Sequence, residues 1–245
     1  MGVSVPGYAW LMACDPVLGV DACTAGWIGV AIGVERGSAG VQAYLAPDID
    51  TLVSLARKSG DPAAIAIDIP IGLPDRSRRQ ADVLAKAAAG PRQSSVFLTP
   101  VRQALLAPDH ATAAATNRRL VGEGISRQAF GLKRKLLEVE DWVPRSGVPV
   151  IEVHPEVSFT RLAGRPLTTR KSTWAGMYQR RALLSAAGIS MDADFGVTGA
   201  SAGVDDVLDA AVAAWTARRY ASGQARPLPD PPEVFSDGLP CAIWV

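Results

Sequence analysis

Asp21 and Asp68 each close an apolar run that reads as a buried strand, Val17-Leu18-Gly19-Val20-Asp21 and Ala64-Ile65-Ala66-Ile67-Asp68. Glu152 lies within a third such run, Val148 to Val153. A carboxylate in that setting is costly unless it is paired or bound to a cation. Several brought together repel one another, and a divalent metal reverses the repulsion. Asp205, Asp206 and Asp209 open the final helical stretch. Asp206 and Asp209 are three residues apart and share a helix face, in the first turns where the helix dipole tolerates anions. Singly, each has an ordinary reading. Asp205 suits an N-cap, Asp206 and Asp209 complement the dipole, and Asp68 suits a turn before Pro70. Their conjunction points to a shared cation.

His154 follows Glu152 by two residues, so strand alternation puts both on one face. It reads either as a proton shuttle or as a hydrogen-bonded core histidine. Glu156 suits the first turn of a helix opened by Pro155. Residues 76–135 hold twelve basic side chains against Asp82, Asp109 and Glu123, a local charge of +9. The remainder carries −8, giving the net +1. A basic segment beside an acidic centre suits a polyanionic substrate. Its aromatics are only Phe97 and Phe130, which disfavours base stacking within it. Solvated helix faces are the plainer reading of the same charges.

These residues need a frame to bring them together. Val17–Ala22, Trp27–Val34 and Val41–Leu45 read as three strands with short links, hence an antiparallel meander. Asp48 opens a helix reaching about Lys58, striped by Ile49, Leu52, Val53, Leu55 and Ala56. Ala64–Ile69 is apolar on both faces, which suits a central parallel strand. Asp75 to Asp141 is helical, and Val148–Val153 is a fifth strand. Helices follow Pro155 and cover about Thr173–Ala187 and Val204–Tyr220. Pro227–Pro232 reads as a surface segment and Ala242–Val245 as a short edge strand. If the first and fourth strands are parallel neighbours, the order is 3-2-1-4-5. Asp21 and Asp68 then meet at the crevice where open α/β sheets place ligands.

The chain has 245 residues, 48% hydrophobic and 20% charged, a globular composition with no internal repeat or linker. One domain over 12–245 is the economical reading, with a helical, basic insertion at about 75–145. Residues 1–11 read as an N-terminal extension before Met12. The near-zero net charge excludes a uniformly basic nucleic-acid coat. Three scattered cysteines, with only His110 and His154, argue against a structural zinc site and fit a reducing, cytoplasmic setting. No apolar run reaches the ~18–20 residues of a membrane span. Cys23 has no His or Asp partners evident in the sequence, which disfavours a cysteine hydrolase.

Several motifs together resemble an uncharacterised family of predicted RNase H-like nucleases. They are Gly19-Val20-Asp21-Ala22 with Gly26-Trp27, and Ile67-Asp68-Ile69-Pro70-Ile71-Gly72-Leu73-Pro74. Ser94-Ser95-Val96-Phe97 with Pro100 and Arg102, Ser126-Arg127-Gln128, and Lys135 with Glu138-Val139 follow. Glu152-Val153-His154-Pro155-Glu156 with Phe159, and Asp206-Val207-Leu208-Asp209-Ala210, complete the pattern over roughly 17–245. The resemblance implies an RNase H-like three-layer α/β fold with a mixed five-stranded sheet, and a divalent-metal nuclease hydrolysing phosphodiester bonds. It implies Asp21, Asp68, Asp206 and Asp209 as ligands of Mg2+ or Mn2+, whose preference for oxygen they suit. Glu152 and His154 would be further catalytic groups. Arg102, Arg127 and Lys135 fall in the matching motifs as contacts for nucleic acid or a phosphorylated small molecule. Two other functions compete. An actin-like ATP-dependent phosphotransferase also starts with a Gly-x-Asp strand, but it needs a second domain and a second Gly-rich turn that are not evident. A catalytically silent RNase H-like binding module needs no metal.

Overall fold

Seven strands form one mixed sheet in the order β3-β2-β1-β4-β5-β7-β6. The computed structural model describes residues 15–33 and 40–245. The expected N-terminal extension, Cys14 and the turn at Glu35–Ser38 lie outside them. β1 (Val17–Cys23), β2 (Gly26–Ile32) and β3 (Val41–Ala46) are the antiparallel meander. Gly26 makes the tight β1–β2 link with φ +130°, and a Cβ there would lie 2.2 Å from the Ala46 carbonyl. α1 (Ile49–Arg57) is capped by the Asp48 carboxylate on Thr51 N, and Ile49, Leu52, Val53 and Ala56 form its buried face.

β4 (Ile65–Ile67) runs parallel to β1, and β5 (Val150–Glu152) runs parallel to β4. Between them lie α2 (Gln80–Ala89), α3 (Arg102–Leu105), α4 (His110–Val121), α5 (Arg127–Gly131) and α6 (Lys133–Trp142). After β5 come α7 (Pro155–Ala163), α8 (Trp174–Ala186), α9 (Gly196–Ser201) and α10 (Val204–Ala221). β6 (Pro227–Val234) and β7 (Pro240–Trp244) complete the sheet.

The expected five-stranded sheet is corrected to seven strands. Pro227–Pro232, read from sequence as a surface segment, belongs to β6, and β7 is an inner strand rather than an edge. Prolines cannot donate to a ladder, so they are confined to edge strands and bulges. β6 satisfies both conditions: it pairs only with β7, and its register shifts between Leu228 and Glu233. Among the described residues, no helix is long and apolar enough to cross a membrane.

Two apolar layers flank the sheet. Val30, Ala66, Ile151 and Val153 pack with Phe159 of α7, Leu184 of α8 and Ala210 to Ala214 of α10. Leu18, Val20, Ile65 and Ile67 pack on the other face with α1 and with Leu136, Val139 and Trp142 of α6. α10 lies unusually close to β1. A Cβ on Gly19 would stand 2.1 Å from both the Ala210 carbonyl oxygen and the Ala214 nitrogen. Glycine at 19 and alanines on α10 permit this approach, which sets the start of α10 beside the end of β1.

Candidate active site

Strand register explains why the two aspartates meet. Val20 is level with Ile67, and the Asp68 amide donates to the Val20 carbonyl at 2.9 Å. Asp21 and Asp68 are therefore level, each one residue further along. Gly19 faces α10, so alternation sends Asp21 to the same face, and Asp68 follows Ala66 there. α10 supplies Asp206 and Asp209 from its first turns. All four line one cavity of about 260 Å³, together with Glu152, His154, Glu156, Asp82, Ser95, Phe97, Gln128 and Lys171.

Lys171, in the link before α8, is the residue the sequence reading missed. Its ammonium bonds Asp209 Oδ2 at 2.5 Å and approaches Asp205 Oδ2 at 3.8 Å. It lies outside the basic insertion and in no motif singled out above. Only the fold brings it to α10. Its pKa is raised, since Asp209, Asp21 and Asp68 outweigh its own burial. The aspartates shift up too. Burial first, then Asp68 and Asp209, holds Asp21 well above the usual carboxylate range. Burial and Asp209 push Asp68 to about 8, and burial pushes Asp209 to about 6 despite Lys171. Asp206, at the mouth, is raised by burial and by Asp205. The N-cap of α10 is Gly203, not Asp205.

Glu152 lines the same cavity but is already engaged. Its Oε2 accepts from the Ile71 amide at 2.8 Å and from the Arg79 guanidinium. Arg79 is fully buried and also reaches Asp82 Oδ1 at 3.5 Å, Thr99 Oγ1 at 2.9 Å and Cys241 Sγ at 3.0 Å. Burial outweighs the guanidinium and lifts Glu152 to about 7. Breaking a buried pair strands the remaining charge. Arg79→Met is therefore expected to lower the unfolding free energy by about 3–5 kcal/mol, read from urea denaturation. A loss below about 1 kcal/mol, the worth of an exposed pair, would refute this role. Glu156 is engaged in the same way, by buried Arg180 at 2.7 Å.

β5 ends at Glu152, so alternation does not carry to His154, which precedes α7 as its N-cap residue. Its Nε2 lies 3.4 Å from the Ser95 carbonyl, and its Nδ1 is buried without a hydrogen-bond partner. Burial pushes its pKa down to about 4 and keeps the ring neutral.

None of the twelve basic residues of 76–135 lines the cavity. Lys135 donates to the Gly26 carbonyl and sits 4.0 Å from the Trp27 ring centroid. Trp27 Nε1 in turn donates to Glu138 at 3.0 Å, so this motif braces the β1–β2 turn. Arg102 pairs with Glu140 at 2.7 Å. Arg127 is exposed at the start of α5, next to Gln128 in the cavity wall.

Seven carboxyl groups line the cavity, facing the Lys171 ammonium and, behind the wall, the guanidinium groups of Arg79 and Arg180. The donor set is rich in oxygen and short of positive charge, and Glu156 Oε2 is also buried without a partner. That chemistry fits a hard divalent cation. Among the described residues, no three His, Cys, Asp or Glu side chains stand in an arrangement that could hold a metal ion as placed. The fit is one of charge and ligand type.

The family described as "Protein of unknown function (DUF429)" matches residues 19–234. A search of the curated proteins finds no match. Among solved structures, "Thermus thermophilus RuvC structure" aligns with 87% of this chain and 99% of that chain, at 15% identity and a TM-score of 0.35. At that score the likeness carries no weight for fold or activity.

Proposed function

For a chain that belongs to the DUF429 family, we propose a divalent-metal-dependent nuclease that hydrolyses phosphodiester bonds of nucleic acid. One observation carries the reading. Asp21, Asp68 and Asp209, from two neighbouring parallel strands and the helix packed on them, share a cavity with a single ammonium between them. A site built only to be stable would not gather so much like charge. Asp21, Asp68 and Asp209 would hold Mg2+ or Mn2+, with Asp206 at the mouth. Such an ion would supply positive charge against the reacting phosphodiester and would favour deprotonation of an attacking water.

The chain's own residues have separable parts in this reading. Lys171 holds Asp209 until the site is loaded. Arg79 fixes Glu152, and with it the Ile71 amide and the turn after β4, so Glu152 acts in positioning rather than at the reacting phosphate. His154, neutral and with a free Nδ1, offers a hydrogen-bond acceptor at the cavity wall. Calorimetric titration with Mn2+ should give saturable binding, and an end-labelled oligonucleotide should be cut only when the metal is added. Absence of metal binding would favour a silent module, and cleavage unaffected by EDTA would remove the metal from the reading.

A further inference from the structure

Trp174 and Tyr178 are the two large aromatic side chains that α8 leaves in solvent, 78% and 66% exposed. They are four residues apart, so they stand on one helix face about 6 Å apart along the axis. A core helix has no use for two such rings in water, and large exposed apolar groups side by side mark a binding surface. Their place along the chain says what that surface serves. Lys171, whose ammonium is inside the carboxylate cavity, precedes Trp174 by three residues. The two Cα atoms are therefore at most about 11 Å apart. Arg170, beside Lys171, is exposed, and its side chain has no partner among the described residues. Along the chain the order is thus two cationic side chains, the second of which reaches the carboxylate cavity, then two aromatic rings.

We infer that Trp174 and Tyr178 form a stacking platform for the bases of single-stranded nucleic acid whose phosphate lies at the carboxylate cavity. This rests on the nuclease reading and narrows it to a substrate class. The 6 Å step is close to twice the ~3.4 Å spacing of stacked bases, which leaves room for a base at each ring. Any base has a π face, so such a platform binds without sequence preference. In a duplex the bases are already stacked on one another, so the rings offer them nothing. Arg170 adds charge where the backbone enters. A protein partner could also cover two aromatics. The adjacent cations and the cavity's suitability for a phosphate-bound metal favour a polyanion with flat rings.

The test compares binding of a fluorescein-labelled oligothymidylate and of a duplex of equal length, by anisotropy, with Ca2+ in place of Mn2+. Trp174→Ala and Tyr178→Ala are each expected to weaken single-strand binding roughly tenfold, and Trp174→Phe to keep most of the affinity. Duplex binding should change less than about twofold, because a paired base cannot reach the rings. Both positions are exposed, so far-ultraviolet circular dichroism should be unchanged. If the wild-type chain binds the strand and the double alanine variant binds it equally well, the platform is refuted while the nuclease reading stands, and the aromatics belong to a protein contact. If the wild-type chain binds neither strand nor duplex, the nuclease reading itself fails.

Discussion

Replacing Asp21 with Asn is expected to reduce metal-dependent cleavage by at least about 10³-fold while leaving the metal-free protein no less stable than before. The two halves have one cause. Asp21 accepts from the Ala22 amide at 2.7 Å, and burial, Asp68, Asp209 and Asp206 raise its pKa while Lys171 offsets them only in part. Asparagine keeps an acceptor and removes the repulsion. Asp68→Asn should behave alike and adds a pH signature. Asp68 has a folded pKa of about 8 against an ordinary value of 3.8. Between those limits the folded, metal-free protein holds a proton that the unfolded chain has released. Stability contributed by that proton is complete below about pH 4 and lost as the pH rises through 8. Denaturation in EDTA should show wild-type stability falling over that window and the Asp68→Asn curve flatter. Saturating Mn2+ should restore the wild type and leave the variant unmoved. A variant that cuts as fast as the wild type would end the nuclease proposal, and parallel pH curves would remove Asp68 from the strained cluster.

The aspartates were legible because strands and helices advertise themselves by periodicity. A carboxylate at the end of an apolar run breaks that pattern, and Asp21 and Asp68 both broke it, while Asp209 stood out by sharing a helix face with Asp206. The helix from Asp48 and the meander were readable for the same reason. Partner choice was not. Glu152 interrupts its strand just as Asp21 does, yet it faces Arg79, the residue that precedes α2, 73 residues earlier in the chain. Nothing local distinguishes a carboxylate with a buried guanidinium from one without. Counting charge over 76–135 suggested a cradle, but Arg79, Arg102 and Lys135 are consumed by contacts with Glu152, Glu140 and the Gly26 carbonyl. The cation that does reach the cavity, Lys171, is a single residue in an unpatterned link. Proline content concealed β6, because the rule against proline in strands applies to inner strands, and its edge position depends on which strand pairs last.

Lys171→Met is expected to separate stability from metal affinity. In EDTA the variant should lose about 2 kcal/mol, between the worth of exposed and of buried pairs, since the Lys171 side chain is 41% exposed and its partner Asp209 only 3%. That loss arises because Asp209 is left facing Asp21 and Asp68 with only the Arg180 guanidinium, itself paired with Glu156, as counter-charge. Mn2+ should then bind more tightly than in the wild type, because the ion no longer displaces an ammonium from Asp209 or suffers its repulsion. Linkage makes the second change visible in melting: a ligand stabilises the folded state more the more tightly it binds, so tighter Mn2+ binding must appear as a larger metal-induced rise in melting temperature than the wild type shows. Differential scanning fluorimetry with and without Mn2+ reads both at once. A variant with the wild-type melting point in EDTA would mean that Lys171 is a surface pair of no consequence. A lowered melting point with weaker Mn2+ binding would mean instead that Lys171 shapes the site for the metal rather than standing in for it.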